Sequence, residues 1–144
     1  MDWKSIAIEK LKNYQAKQQA LVSIPLEIAE IESNMKSIRS ICPDRPAVRG
    51  GSTYDDKMLS YLARKEELQG LLNRAQLAVQ EVTGALQILD PEEQLVLDRL
   101  YISPAKGKMG GLCSELKLDK TSAYRRRDAA LRKFTIALYG CTES

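Results

Sequence analysis

Apolar residues recur by sevens along the first quarter of this chain. Tyr14, Leu21, Ile28 and Met35 form one row, and Ile24, Ile31 and Ile38 form a second, three residues after Leu21, Ile28 and Met35. That spacing is an a/d seam of the coiled-coil kind and predicts one long helix from Asp2 to Ile41. Forty helical residues would span about 60 Å. Pro25 lies inside this stretch and removes one backbone hydrogen bond, so a kink or a break is expected near Ser23. A second seam runs through Met58, Tyr61, Lys65, Leu68, Leu72, Ala75, Val79, Val82, Leu86 and Leu89. Between the two lies Cys42–Tyr54, a loop by its two prolines, paired glycines and lack of periodicity. Asp55 and Asp56 oppose the dipole at the start of the second helix. Two long helices with matching seams and a short connection predict an antiparallel hairpin over residues 1–89. Such a hairpin buries only one stripe of each helix. It is therefore expected to dock on the rest of the chain or on a second copy, as a homodimer held through Ile28, Ile31, Leu72 and Val79.

Asp90-Pro91-Glu92-Glu93 marks the next start. Asp90 suits the cap, Pro91 the first helical position, and Glu93 stands three residues after the cap. The helix continues through Leu95, Val96, Leu97, Leu100 and Tyr101 to about residue 102. A polar, glycine-containing loop over Ser103–Gly110 follows. Gly111–Phe134 then reads as a short helix, a tight turn and a basic helix. Leu112 and Leu116 share a face, Asp119 suits the N-cap, and Ala123, Ala130, Leu131 and Phe134 recur at helical spacing. Lys120, Arg125, Arg126, Arg127, Arg132 and Lys133 concentrate positive charge on this last helix against one acid, Asp128. An apolar face backed by such charge suits a helix that enters the major groove of double-stranded DNA.

The N-terminal turns of that helix place Lys120, Thr121, Ser122, Tyr124 and Arg125 nearest the base edges, with Arg125 the candidate for a bidentate guanine contact. Arg126 and Arg127 bracket the expected core face, and one of them is expected to reach phosphate. Arg132 and Lys133, further along, are expected to meet backbone only. Asp128 is expected to pair with Arg132 at i,i+4. The fold class is all-α: a long antiparallel hairpin followed by a three-helix, helix-turn-helix module over 90–144.

The order L-C-S-E-L-K-L-D-K-T-S-A-Y-R resembles the helix-turn-helix of sigma-factor region 4. Its continuation, Y-R-R-R-D-A-A-L-R-K-F-T-I-A-L-Y-G, resembles the ArpU/RinA type of phage-encoded transcriptional regulators. The likeness covers Asp90–Gly140. It implies sequence-specific DNA binding that regulates late genes of phages or prophages, with RNA polymerase as a further candidate partner. Two positions depart from the pattern. Ala123 stands where a bulky apolar residue is usual, and Lys117 where sigma-type turns carry Gly. A left-handed residue other than Gly costs about 1–2 kcal/mol. Two other readings fit the same residues. One is a small terminase-like DNA-packaging subunit, which would assemble as a ring. The other is a coiled-coil adaptor whose basic helix binds RNA polymerase or a sigma factor.

Composition narrows the chemistry. Histidine is absent, which removes the commonest general base and the His-containing zinc sets. Gly107, Gly110 and Gly111 are not followed by the Lys-Ser/Thr of a phosphate-cradling loop. No catalytic constellation, cofactor site or metal site is expected, and the protein is read as a non-enzyme. Cys42, Cys113 and Cys141 show no metal spacing, and an odd count suits a reducing cytoplasm, which the resemblance implies is that of a bacterial host. Cys113 is read as a small packing residue. No apolar run approaches a membrane span, so no membrane partner is expected. The net charge of +3 says little; its clustering after Lys120 is the informative part.

Overall fold

The computed structural model of the chain describes residues 2–41, 51–104 and 108–141. These residues are all-helical, with no strand among them: α1 (Trp3–Ile41), α2 (Gly51–Ile88), α3 (Pro91–Leu97), α4 (Lys108–Leu116) and α5 (Lys120–Tyr139). The chain divides into two compact units. One holds Met1–Gln18 and Leu77–Ser144, the other Gln19–Gln76.

In the Gln19–Gln76 unit, α1 and α2 run antiparallel. Arg64 pairs with Glu27 at 3.2 Å and Lys65 with Glu32 at 3.1 Å. Ile31, Met35 and Leu68 are buried between the helices, flanked by partly buried Ile24, Ile28, Met58 and Tyr61. Every seam position here is buried or half-buried, and the polar member, Lys65, is the one that salt-bridges. Of the residues expected to hold a dimer, Ile31 is buried in this seam with Ile28 packed against it, and Leu72 and Val79 are half-buried. The helix continues through Pro25 rather than breaking there. Pro25 is exposed, so the carbonyl it leaves without a donor can turn to water. The expected loop lies outside the described residues over 42–50, and α2 begins at Gly51, ahead of the acids at 55 and 56. Cys42 falls in the same stretch.

In the other unit the core does not stop at the boundary expected between 89 and 90. Ala7 and Leu11 of α1 and Val82, Ala85 and Leu89 from the end of the hairpin join Val96, Leu97, Leu100, Leu112, Ala130, Leu131 and Phe134 in one buried cluster. The C-terminal helices therefore share one core with the first turns of α1 and the last turns of α2. The reason is the late apolar surface of α5: Phe134 is wholly buried, and fully burying such a side chain stabilises by about 1.5–3 kcal/mol. Thr135 is buried beside it, its hydroxyl donating to the Leu131 carbonyl at 2.8 Å.

The capping box at Asp90 is present in full. The Glu93 amide donates to the Asp90 carboxylate at 2.8 Å, and the Asp90 amide donates to Glu93 Oε1 at 3.0 Å. Beyond Leu97 the helix widens into a π-helical turn, Asp98–Ile102, closed by the Ser103 amide donating to the Asp98 carbonyl at 2.8 Å. Periodicity alone predicts one regular helix to 102; the extra residue per turn lets Leu100 and Ile102 both reach the core. No helix among the described residues is long and apolar enough to cross a membrane.

Candidate nucleic-acid interface

The turn between α4 and α5 is three residues long, Lys117–Asp119. Lys117 takes the left-handed conformation, φ 56°, at the position where the sigma-type turn carries Gly. The Leu118 amide donates back to the Cys113 carbonyl at 3.0 Å, the bond that closes a Schellman ending. α4 itself starts at Lys108, a turn earlier than the apolar pattern implied, and residues 105–107 lie outside the described residues. Cys113 is half-buried.

Asp119 caps α5. Its carboxylate accepts from the Ser122 amide at 2.8 Å. The hydrogen bonds from Ser122, helped by the charge of Arg125, hold the Asp119 carboxyl below its ordinary range. Gly140 closes the other end in a left-handed conformation, its amide donating to the Ile136 carbonyl at 2.7 Å.

Ala123, Ala130, Leu131 and Phe134 form the inner face of α5. Ala123 is wholly buried, so there is no room for a larger side chain without repacking. Opposite lie Lys120, Thr121, Tyr124, Arg125, Arg126, Arg132 and Lys133, all exposed, with Ser122 and Arg127 half-exposed.

Ion pairs sort these cations into two groups. Arg126 turns to α3 and pairs with Glu92. Lys133 pairs with Glu93 at 3.0 Å, and that hydrogen bond holds its amine above the ordinary lysine range. Arg127 donates from Nε at 3.1 Å and Nη2 at 3.0 Å to Asp128 Oδ1, and its guanidinium lies 4.8 Å from the centre of the Tyr124 ring. Lys120, Arg125 and Arg132 make no ion pair or side-chain hydrogen bond within the chain among the described residues. Thr121, Arg125 and Arg132 follow one another at steps of four and seven, so they share the outermost line of the helix.

Asp128 does not pair with Arg132. It is held by Arg127 and by Lys4 of α1, whose Nζ is 3.5 Å from the same Oδ1. Burial alone would push this carboxyl up; the Arg127 hydrogen bond and the charges of Arg127 and Lys4 outweigh it and hold it low. Lys4 carried no signal in the sequence, because only the fold brings the start of α1 beside α5. Glu92 and Glu93 were legible as first-turn acids but not as partners of α5.

No family model matches the chain, and no curated protein or solved structure matches it. The site therefore has to be read from its own chemistry. On the α3 side, Glu92 and Glu93 neutralise the flank of α5. Along the outer line, unpaired guanidinium groups and a hydroxyl face solvent from a helix whose first turn is capped and held by a short turn. Such a strip can donate hydrogen bonds to phosphate oxygens and to the acceptor edges of bases.

Proposed function

We propose that the protein is a sequence-specific DNA-binding regulator of transcription, with α5 as the helix that enters the major groove. The single observation that carries this reading is the outer line of α5. In a helix bearing six cations, those of the α3 flank are spent on internal ion pairs, while Arg125 and Arg132 are held outward with Thr121 and left unpaired. A generic solvated helix has no reason to sort its charges this way. Under this reading Arg125, early in α5, is the principal base contact. Lys120 and Arg132 meet phosphates, and Thr121 supplies a shorter contact at the helix start. Arg126 and Lys133 position α5 against α3 and make little contact with the nucleic acid. The resemblance over Asp90–Gly140 supports reading the regulated genes as phage or prophage late genes, with the protein acting in a bacterial cytoplasm.

The test is selection from random-sequence duplex DNA with the full chain. Enrichment of one motif is expected. Recovery of no motif, with no retardation of any duplex at low salt, overturns the reading and leaves the basic helix as a protein-binding surface. Sedimentation separates the packaging alternative, which requires a ring of many subunits, from a regulator acting as a monomer or dimer.

A further inference from the structure

Tyr124, Arg127, Asp128 and Lys4 form a continuous chain of contacts from the start of α1 to the exposed side of α5. Tyr124 stands in the second turn of α5 and is 39% exposed. A bare tyrosine there would sample several rotamers. Instead the Arg127 guanidinium lies over its ring at 4.8 Å, within the range of an attractive cation–π contact. Arg127 is in turn fixed. Two of its nitrogens donate to Asp128 Oδ1, and the Lys4 ammonium approaches the same oxygen at 3.5 Å. Tyr101 of the π-helical turn closes the inner side: burial pushes its hydroxyl up, and the neighbouring Arg127 works against that shift. Tyr124 and Asp128 of α5 and Tyr101 of the π-helical turn thus converge on one guanidinium, and Lys4 of α1 joins them through Asp128.

An acid on a DNA-facing helix repels phosphate and weakens binding to every sequence. Its presence among six cations calls for a return, and the geometry supplies one. We propose that Asp128 and Arg127 are positioning residues that hold the Tyr124 ring in one orientation against the bases, with Lys4 anchoring the set from α1. Tyr124 is then a specificity-determining contact whose ring meets a base edge, a thymine methyl being the apolar feature the major groove offers. This rests on the DNA-binding reading above. It adds that sequence preference depends on a residue of α1, outside the helix-turn-helix.

Arg127→Lys keeps the charge and loses the planar face that stacks and the fork that grips Asp128. Asp128→Asn keeps the shape and loses the charge. Both are compared with wild type on two probes, the duplex enriched by selection and a scrambled duplex of equal composition, over a salt series. Lys4→Met is the third variant, and circular dichroism monitors folding in each. Each variant is expected to lower the ratio of affinities, enriched over scrambled, by about fivefold, the size of one exposed cation–π contact. Affinity for the scrambled duplex stays within about twofold for Arg127→Lys and rises for Asp128→Asn. The salt slope for Arg127→Lys is unchanged. Three results overturn the proposal. If Arg127→Lys and Lys4→Met keep the wild-type ratio, the network does not position a reader. If only Asp128→Asn changes the ratio, Asp128 touches a base directly. If Lys4→Met lowers affinity for both duplexes alike and reduces the salt slope, Lys4 is a phosphate contact. Wild type that binds neither duplex brings down the DNA reading as well, whereas a wild type with clear preference and indifferent variants brings down this inference alone.

Discussion

Replacing Lys117 with glycine should stabilise the protein. Lys117 is exposed, makes no ion pair or side-chain hydrogen bond among the described residues, and holds φ at 56° to end α4. A residue with a Cβ pays about 1–2 kcal/mol for that conformation, and glycine does not. Against this, glycine has more backbone freedom to lose on folding, a cost of about 0.5–1 kcal/mol. The difference is a gain of about 0.5–1 kcal/mol. For a chain of this size that corresponds to a rise in Tm of roughly 1–4 °C. Trp3 is the single tryptophan and packs on the same core as the turn, so its fluorescence reports the unfolding of this unit without interference. Gly140→Ala is the mirror experiment: with φ at 82° the added methyl meets open space but the wrong backbone, and the variant should be destabilised. A Lys117→Gly protein that melts earlier than wild type would refute the reasoning. It would mean that the lysine side chain contributes more than the left-handed backbone costs.

The shared core predicts that Leu11→Ala, a change in α1, destabilises the helix-turn-helix. Leu11 is wholly buried, so the loss should be about 2–5 kcal/mol and should appear in Trp3 unfolding in urea. For the same reason a fragment of residues 88–144 should show little helicity by circular dichroism; a fully helical, cooperatively melting fragment would separate the module from the hairpin. The carboxyls of Asp119 and Asp128 are held low in the folded chain. A depressed folded value means the unfolded chain binds the proton more readily, so their stabilisation is present above the unfolded carboxyl range and is lost as pH falls through the folded values. Urea midpoints should therefore fall from neutral pH into the acid range, and Asp128→Asn should flatten that slope.

The helices were legible because their signals are local. The seams of α1 and α2, the box at Asp90 and the Asp119 cap each depend on residues within a turn or two of one another, and the observed elements follow them. Lys117 was marked as the left-handed position only by the resemblance to sigma-type turns, which carry Gly there, and it does take that conformation. Docking of the hairpin on the C-terminal helices was one of two expectations, but its partners were hidden: Leu11 and Phe134 share one buried cluster, and no spacing rule connects them. The division of the α5 cations needed Glu92 and Glu93 of α3 and Lys4 of α1; the sequence set Arg125, as a base contact, apart from Arg126, at the edge of the core face, but held no sign of the ion pair that engages Arg126 with Glu92. The π-helical turn escaped notice because its apolar residues also fit a regular helix. Pro25 was expected to kink or break α1 because the rule counts the lost hydrogen bond; the helix continues through it, with Pro25 on an exposed face where the freed carbonyl is open to solvent.

Arg125 and Arg126 offer the most direct test of the outer line of α5. They carry equal charge on adjacent residues, and only direction separates them: Arg125 is unpaired and outward, while Arg126 is engaged by Glu92. Affinities of Arg125→Ala and Arg126→Ala should be measured on the selected duplex and on its scrambled counterpart. Arg125→Ala should lose about 1–3 kcal/mol on the selected duplex and relax preference at one base position. Arg126→Ala should leave the ratio between the two duplexes unchanged. If the two variants lose the same factor on both duplexes, charge alone governs binding, and α5 does not read sequence.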